Sequence, residues 1–445
     1  MEDESNRPAP VQKDERITAL DTLRGFALLG ILLMNIIAFG MFAGAYNDPT
    51  VTGGSTGGNL AVWAVLHVLA EGKMRCLFSL VFGAGVILLT SRLEATRGES
   101  GDIYYRRTLW LLLFGVLDAY LLWVGDILFP YAMCALLLFP FRKLSARALF
   151  RIGTALVVMM AFAYIGLGFK HREMLAEGPK AVEASKRGEK LSDKQTGFKE
   201  EYERWRKFNR PTAEELKKDR DGWTGSPLKV LETRASQVVP WHSKPYYHPI
   251  NWDIWSMMFI GMALMKTGVL SGSRSTRYYV MLSVIGYAIG LPVNSYTAWV
   301  VIKSNFDPVT QAFASSAYDI GRLSIALGHL GLIMAMSRAG WLEWLTSSLG
   351  AVGQMAFTNY VMHSVICTII FTGFGFKLYG TLQRYQLYYV VAGIWILQLI
   401  VSPIWLKYFR FGPLEWVWRS LTYWKRQPMR FYFDQLPPIR QDVSI

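Results

Sequence analysis

Apolar residues run through this chain in long blocks rather than in the strict alternation of a strand, and short polar links separate the blocks. Crossing about 30 Å of hydrocarbon takes roughly 20 mostly apolar helical residues. Ten blocks approach that length: 20–43, 74–91, 108–125, 127–141, 148–168, 252–270, 278–301, 316–337, 351–373 and 386–408. The fourth is the shortest and has Pro130 and Pro140 near its ends. The pattern predicts an all-α polytopic membrane protein of about ten transmembrane helices. The first block is too long for a signal peptide and no small-residue cleavage site follows it, so it is expected to remain as an anchor.

One segment departs from this pattern. Residues 169–251 hold 18 Lys or Arg and 13 Asp or Glu, in runs such as KEEYERWRK at 199–207. Mixed charge at helical spacing predicts short helices in water. The expected organisation is a cytoplasmic tail (1–19), helices 1–5 (20–168), an extracytoplasmic charged helical insert (169–251), helices 6–10 (252–408) and a cytoplasmic interfacial segment (409–445).

Composition supports the membrane reading. Of 445 residues, 52% are apolar and 18% charged, with 16 Trp, 22 Tyr and 25 Phe, a balance unsuited to a water-soluble surface. The net charge of +14 would point to nucleic acid in a soluble protein, but topology accounts for it. With the N-terminus inside, the short cytoplasmic segments hold 22 Lys or Arg and the opposite ones five, which predicts both termini in the cytoplasm. Nucleic acid is not needed. Cys76, Cys134 and Cys367 all fall in apolar runs without metal-ligand spacing, so no disulfide framework or metal site is expected.

Ionisable groups inside the blocks are costly and mark pairs, wet cavities or function. Helix 1 opens LDTLRG, with Asp21 and Arg24 on one face and Asn35 three turns beyond Arg24; helix capping by Asp21 with a snorkelling Arg24 is the competing structural reading. His67, Glu71, Lys73 and Arg75 crowd the outer start of helix 2, where interfacial anchoring and an i,i+4 Glu71–Arg75 pair compete with a functional role. Asp118 sits in helix 3 and should pair with a cation, Arg75 or Arg322. Asp126 can cap the fourth helix. Arg322 and His329 lie in helix 8, and Asn359 and His363 lie one turn apart in helix 9, where an interhelical hydrogen bond is the plainer use. No G-x-S-x-G, Walker A, H-E-x-x-H or dinucleotide glycine pattern occurs in usable context, which removes the corresponding hydrolase, nucleotidase, zincin and Rossmann readings.

Four stretches, LDTLRGFALLGILLMN (20–35), EGKMRCLFSLVFGAG (71–85), GDILFPYA (125–132) and FGPLEWVWRSLTYW (411–424), resemble the YeiB-like family of bacterial membrane proteins, a domain of unknown function. The last is the most specific, and the resemblance covers nearly the whole chain outside 169–251. That family is similar in turn to the transmembrane acyltransferase superfamily, which includes polysaccharide O-acetyltransferases and the heparan glucosaminide N-acetyltransferase. The resemblance implies a protein of the bacterial cytoplasmic (inner) membrane that moves an acyl group, acetyl by analogy, from cytoplasmic acyl-CoA to an envelope glycan or lipid acceptor, with no tightly bound cofactor. In the O-acetyltransferases a helix 1 Arg is followed eleven residues later by a His taken as catalytic. Arg24 matches the Arg, but Asn35 stands at the His position. His363, His67 and His329 remain as candidate bases. Gln is the family expectation at 363, and often His at 118.

On this reading Asp21 and Arg24 engage the donor, His363 activates the acceptor with Asn35 and His67 as further catalytic candidates, and Glu71, Lys73, Arg75, Asp118, Asp126, Arg322, His329 and Asn359 form a polar substrate cluster. The alternatives are a proton-coupled transporter or exporter and a non-enzymatic membrane scaffold. The lack of internal repeats and of interrupted helix pairs weighs against transport. The bilayer is the certain partner; a homo-oligomer is left open.

Overall fold

The computed structural model describes residues 17–97, 100–244 and 249–430. Its elements are helices, and among the described residues the only extended pairing is an isolated bridge between Phe409 and Arg430. In chain order they are α1 (Thr18–Gly40), α2 (Gly57–Leu69), α3 (Lys73–Arg97), α4 (Gly101–Leu121), α5 (Leu128–Leu136), α6 (Ala146–Lys186), α7 (Asp193–Asn209), α8 (Ala213–Thr224), α9 (Pro227–Ser243), α10 (Pro249–Lys266), α11 (Thr276–Lys303), α12 (Pro308–Ala314), α13 (Tyr318–Ala339), α14 (Glu343–Gln354), α15 (Ala356–Phe371), α16 (Arg384–Tyr408) and α17 (Pro413–Tyr423).

The all-α membrane architecture is as the sequence predicts, but ten spans are not recovered. Six described segments are long and apolar enough to cross a bilayer: α1, α2 with α3, α6, α11, α12 with α13, and α16. A seventh arises if α14 and α15, bent by 82°, count as one span. The shortfall has physical causes. α5 is nine residues long, roughly 13 Å of helix, which cannot cross about 30 Å. α4 carries Asp102, Arg106, Arg107 and Asp118, and the apolarity of α10 is diluted by Asn251 and Asp253.

Helices pack where glycines let backbones touch, as expected where lipid leaves no hydrophobic drive between helices. At the α3/α10 crossing a side chain on Gly83 would meet the Met258 carbonyl, and one on Gly261 would meet that of Leu80. The α11/α13 crossing uses Gly286 and Gly331 in the same way.

α1 runs from a basal end at Thr18 to a capped end at Gly40, over which the insert folds. α6 carries the chain there as one helix of 41 residues, roughly 60 Å, passing position 169 without a break. α7 and α8 start with reciprocal capping boxes at Ser192 and Thr212, the sequence signature of helices standing in water. The insert docks through specific contacts: Arg210 pairs with Asp48 at 2.6 Å, Asp219 accepts from the Tyr379 hydroxyl at 2.7 Å, Gly373 N–H donates to the Trp223 carbonyl, and buried Arg234 donates to the Leu121 carbonyl at the end of α4.

Candidate functional site

The site forms where one membrane helix is interrupted. α2 ends at Leu69 and α3 begins at Lys73. Gly72 turns the chain with φ of +70°, and a Cβ there would strike the Tyr318 hydroxyl. A helix end inside a bundle leaves carbonyls that need donors. Lys73 Nζ donates to the His67 carbonyl at 2.5 Å, and His329 Nε2 lies 3.0 Å from the Leu69 carbonyl. Because that oxygen can only accept, Nε2 of His329 carries a proton, and Tyr287 Oη lies 2.7 Å from its Nδ1. Lys73 and His329 thus hold the break, and Lys73 is completely buried.

Beside the break is a cavity of about 490 Å³, lined by α1 at Met34 and Ile37, by His67, Glu71, Arg75, Tyr46 and Tyr318, and on the insert side by Trp205, Phe208 and Arg210. His67 is stacked on Trp63 with ring centroids 4.8 Å apart, and its Nε2 is 3.4 Å from Thr297 Oγ1. Tyr318 Oη donates to Glu71 Oε1 at 3.1 Å, Arg75 lies 3.4 Å from the same hydroxyl, and Tyr46 lies close to Arg75 and Glu71 in the same lining. Beneath this floor Asp253 receives Arg75 at 3.0 Å and also Arg322, which in turn reaches Asp319. The half-buried Arg75 and the buried Arg322 therefore compensate two buried carboxylates, the condition under which buried charge is tolerated.

This network corrects the expected pairing of Asp118. Arg75 and Arg322 are taken by Asp253 and Asp319, and among the described residues no Lys, Arg or His reaches Asp118 within ion-pair distance. Its Oδ2 is 3.4 Å from Ser364 Oγ, its Oδ1 has no partner, and its nearest carboxyl neighbour is Asp126. Asp126 caps α5 by accepting from Leu128 N and Phe129 N at 2.9 and 2.7 Å. Asp253 and Asp319 are the residues that sequence reasoning missed. Asp319 stands three before Arg322, a helical pair visible in the sequence; for Asp253 no local signal exists.

Asn359 and His363 do come together, bridged by Gln398. His363 Nε2 lies 2.9 Å from Gln398 Oε1, Gln398 Nε2 donates to the Asn359 carbonyl at 2.9 Å, and Asn359 Nδ2 donates to Ser402 Oγ at 3.0 Å. All are buried, and none lines the cavity. At the basal end Arg24 pairs with Asp21 at 2.5 Å and is 29% exposed. Asn35 is half-buried, roughly 16 Å along α1 from Arg24. Among the described residues no cluster of three His, Cys, Asp or Glu could hold a metal.

The second interruption, at Met355 between α14 and α15, is held by the closing FGPLEW stretch. The buried Glu415 carboxylate accepts from Phe357 N at 2.7 Å, Thr358 N at 3.1 Å and Thr358 Oγ1 at 2.5 Å. Sequence reasoning also missed this cap, since 58 residues separate Glu415 from the amide it serves.

Comparison with known proteins bears on this arrangement as a whole. A family model described as "Protein of unknown function (DUF418)" matches residues 264–425. The chain is 31% identical over 420 residues to the uncharacterized protein YeiB of Escherichia coli K12, covering 92% of this chain and 96% of that one. It is 27% identical over 438 residues to the uncharacterized protein YxaH of Bacillus subtilis 168, covering 94% and 97%. No solved structure matches.

Proposed function

The chain belongs to the YeiB-like family of membrane proteins, and from that premise we propose that it is an integral-membrane acyltransferase whose acceptor binds in the cavity at the α2/α3 break. The observation that carries this reading is the convergence of the His67 imidazole, the Glu71 carboxylate and the Tyr46 and Tyr318 hydroxyls on one cavity. The basal end faces the cytoplasm and the insert lies outside, as the Lys and Arg distribution supports.

In the proposed reaction His67 takes the proton of an acceptor hydroxyl or amine. The freed lone pair attacks the thioester carbonyl, the C–S bond breaks, and the CoA thiolate leaves with the proton that His67 held. Glu71 supplies negative charge against the imidazolium, and the tyrosine hydroxyls or Arg75 stabilise the oxyanion. Arg24 with Asp21 meets the anionic donor at the basal end, and Asn35 lies between it and the cavity level. His363 is not given the base role because it is sealed from the cavity and engaged by Gln398.

The test is acetyl-CoA turnover in proteoliposomes supplied with envelope glycan, with His67→Gln inactive and His363→Gln active. Absence of both CoA binding and turnover in the wild type would sink the reading. A second reading has one observation in its favour: the interruptions at 70–72 and 355 are the kind of broken membrane helix that transporters use around a solute. Solute or proton flux in the same vesicles without CoA turnover would select it.

A further inference from the structure

The lining of the same cavity includes a guanidinium that makes no ion pair among the described residues. Arg384, the first residue of α16, is 1% exposed and lines the cavity. Its Nη2 donates to the Ala45 carbonyl, while its Nε is buried with no partner. The nearest acid, Asp48, is already used: it accepts from Arg210 at 2.6 Å and from the Thr50 amide and hydroxyl at 2.8 and 2.5 Å. Among the described residues no carboxylate lies within ion-pair distance of Arg384, whereas Arg75 and Arg322 beneath the same cavity are both matched. Buried Arg234 also lacks an ion pair, but it does not line the cavity, whereas Arg384 is a desolvated guanidinium set in the wall of a cavity that can admit an anion. Fork-like guanidinium donors suit carboxylate and phosphate oxygens.

We propose that Arg384 binds an anionic group, phosphate or carboxylate, on the acceptor, so that the acceptor presents its nucleophile to His67, which lines the same cavity. The aromatic side chains Trp63, Trp205 and Tyr388 in the lining suit a ring or apolar body on the acceptor. This proposal rests on the reading of the cavity as the acceptor site, and it is tested by binding rather than by turnover so that the two can fail separately.

The experiment follows tryptophan fluorescence of the full chain in nanodiscs of zwitterionic lipid, titrated with glucose 1-phosphate, glucuronate and glucose. Glucose 1-phosphate or glucuronate should bind at least tenfold more tightly than glucose, with affinity falling as salt rises. Arg384→Gln should weaken the anion roughly 10- to 100-fold, and Arg384→Lys should restore part of it. If only phosphatidylglycerol nanodiscs quench the signal in an Arg384-dependent way, the anion is a lipid headgroup and the proposal stands. Equal binding of glucose and glucose 1-phosphate by the wild type overturns it, even where the variants fail to fold. So does competition by coenzyme A, which would put the donor there. Anion binding without any acyl transfer would retain the anion site and discard the acyltransferase reading.

Discussion

The two interrupted helices solve one problem with opposite charges. At residues 70–72 the exposed end is a helix C-terminus, and cationic or N–H donors, Lys73 and His329, satisfy its carbonyls. At residue 355 it is a helix N-terminus, and a carboxylate, Glu415, satisfies its amides. The signs follow the helix dipole and the orphan groups at each end. The surroundings differ as well. The first break opens on a cavity with Glu71 and His67 at its edge, whereas the second is packed by α17 and by Phe357 against Trp418. An interruption filled with protein is a structural joint, and one that borders an open polar cavity has room for a substrate.

The sharpest way to break this contrast is to compare one histidine from each region. His67→Gln at the open break should reduce transfer roughly 10²–10⁴-fold, the usual contribution of general base catalysis. His363→Gln near the filled joint should fold and turn over at close to the wild-type rate, because Gln can still bond Gln398. Initial rates of CoA release with both variants decide the matter; equal losses would erase the distinction.

Next in size is the joint itself. Glu415→Ala strands two buried N–H groups and a hydroxyl, at about 1–3 kcal/mol for each unsatisfied donor, so a loss of roughly 3 kcal/mol or more is expected in thermal or denaturant unfolding. Glu415→Gln keeps an acceptor and should recover part of it. A smaller effect belongs to the open break. Lys73→Met removes one donor from the His67 carbonyl and should cost about 1–3 kcal/mol, accompanied by weakened ligand binding because His67 and Glu71 sit on the loosened turn. Unchanged binding in Lys73→Met would separate the cap from the cavity.

How far the sequence announces these features depends on whether the partners are close along the chain. The all-α membrane class follows from block length alone, and the polar crowd at Glu71, Lys73 and Arg75 stands out because cations are scarce on that side. Its chemistry does not, because Lys73 turns inward to a carbonyl while Arg75 finds Asp253 at a separation of 178 residues. Asp118 looked in need of the cations that Asp253 and Asp319 hold. Three of the ten apolar blocks are too short or too charged as helices to count as spans, since lipid exposure and burial against protein select the same residues. Arg384 gave no motif at all; its significance comes from what is missing around it.

The smallest effect compares Glu415 with a carboxylate that does the same work in water. Glu215 completes the capping box of α8, accepting from Thr212 N at 2.8 Å, and meets Arg206 at 2.7 and 3.0 Å. The Arg206 guanidinium and the Thr212 amide hold its carboxyl down to about 2. A depressed carboxyl stabilises the fold above its unfolded value near 4.5, and that contribution disappears as pH falls through about 2. Because the pair is exposed, solvent and salt screen it, so the loss should be local and partial. Hydrogen exchange across residues 206–224 between pH 5 and pH 2.5 should show the α8 amides opening in the wild type as acid is added, whereas Arg206→Gln, which removes the main cause of the depressed carboxyl, should start less protected and change less with pH. The amides of Phe357 and Thr358 should stay protected over the same range, since Glu415 is buried in the bundle; loss of both at the same pH would mean that the exposed cap and the buried joint obey one rule.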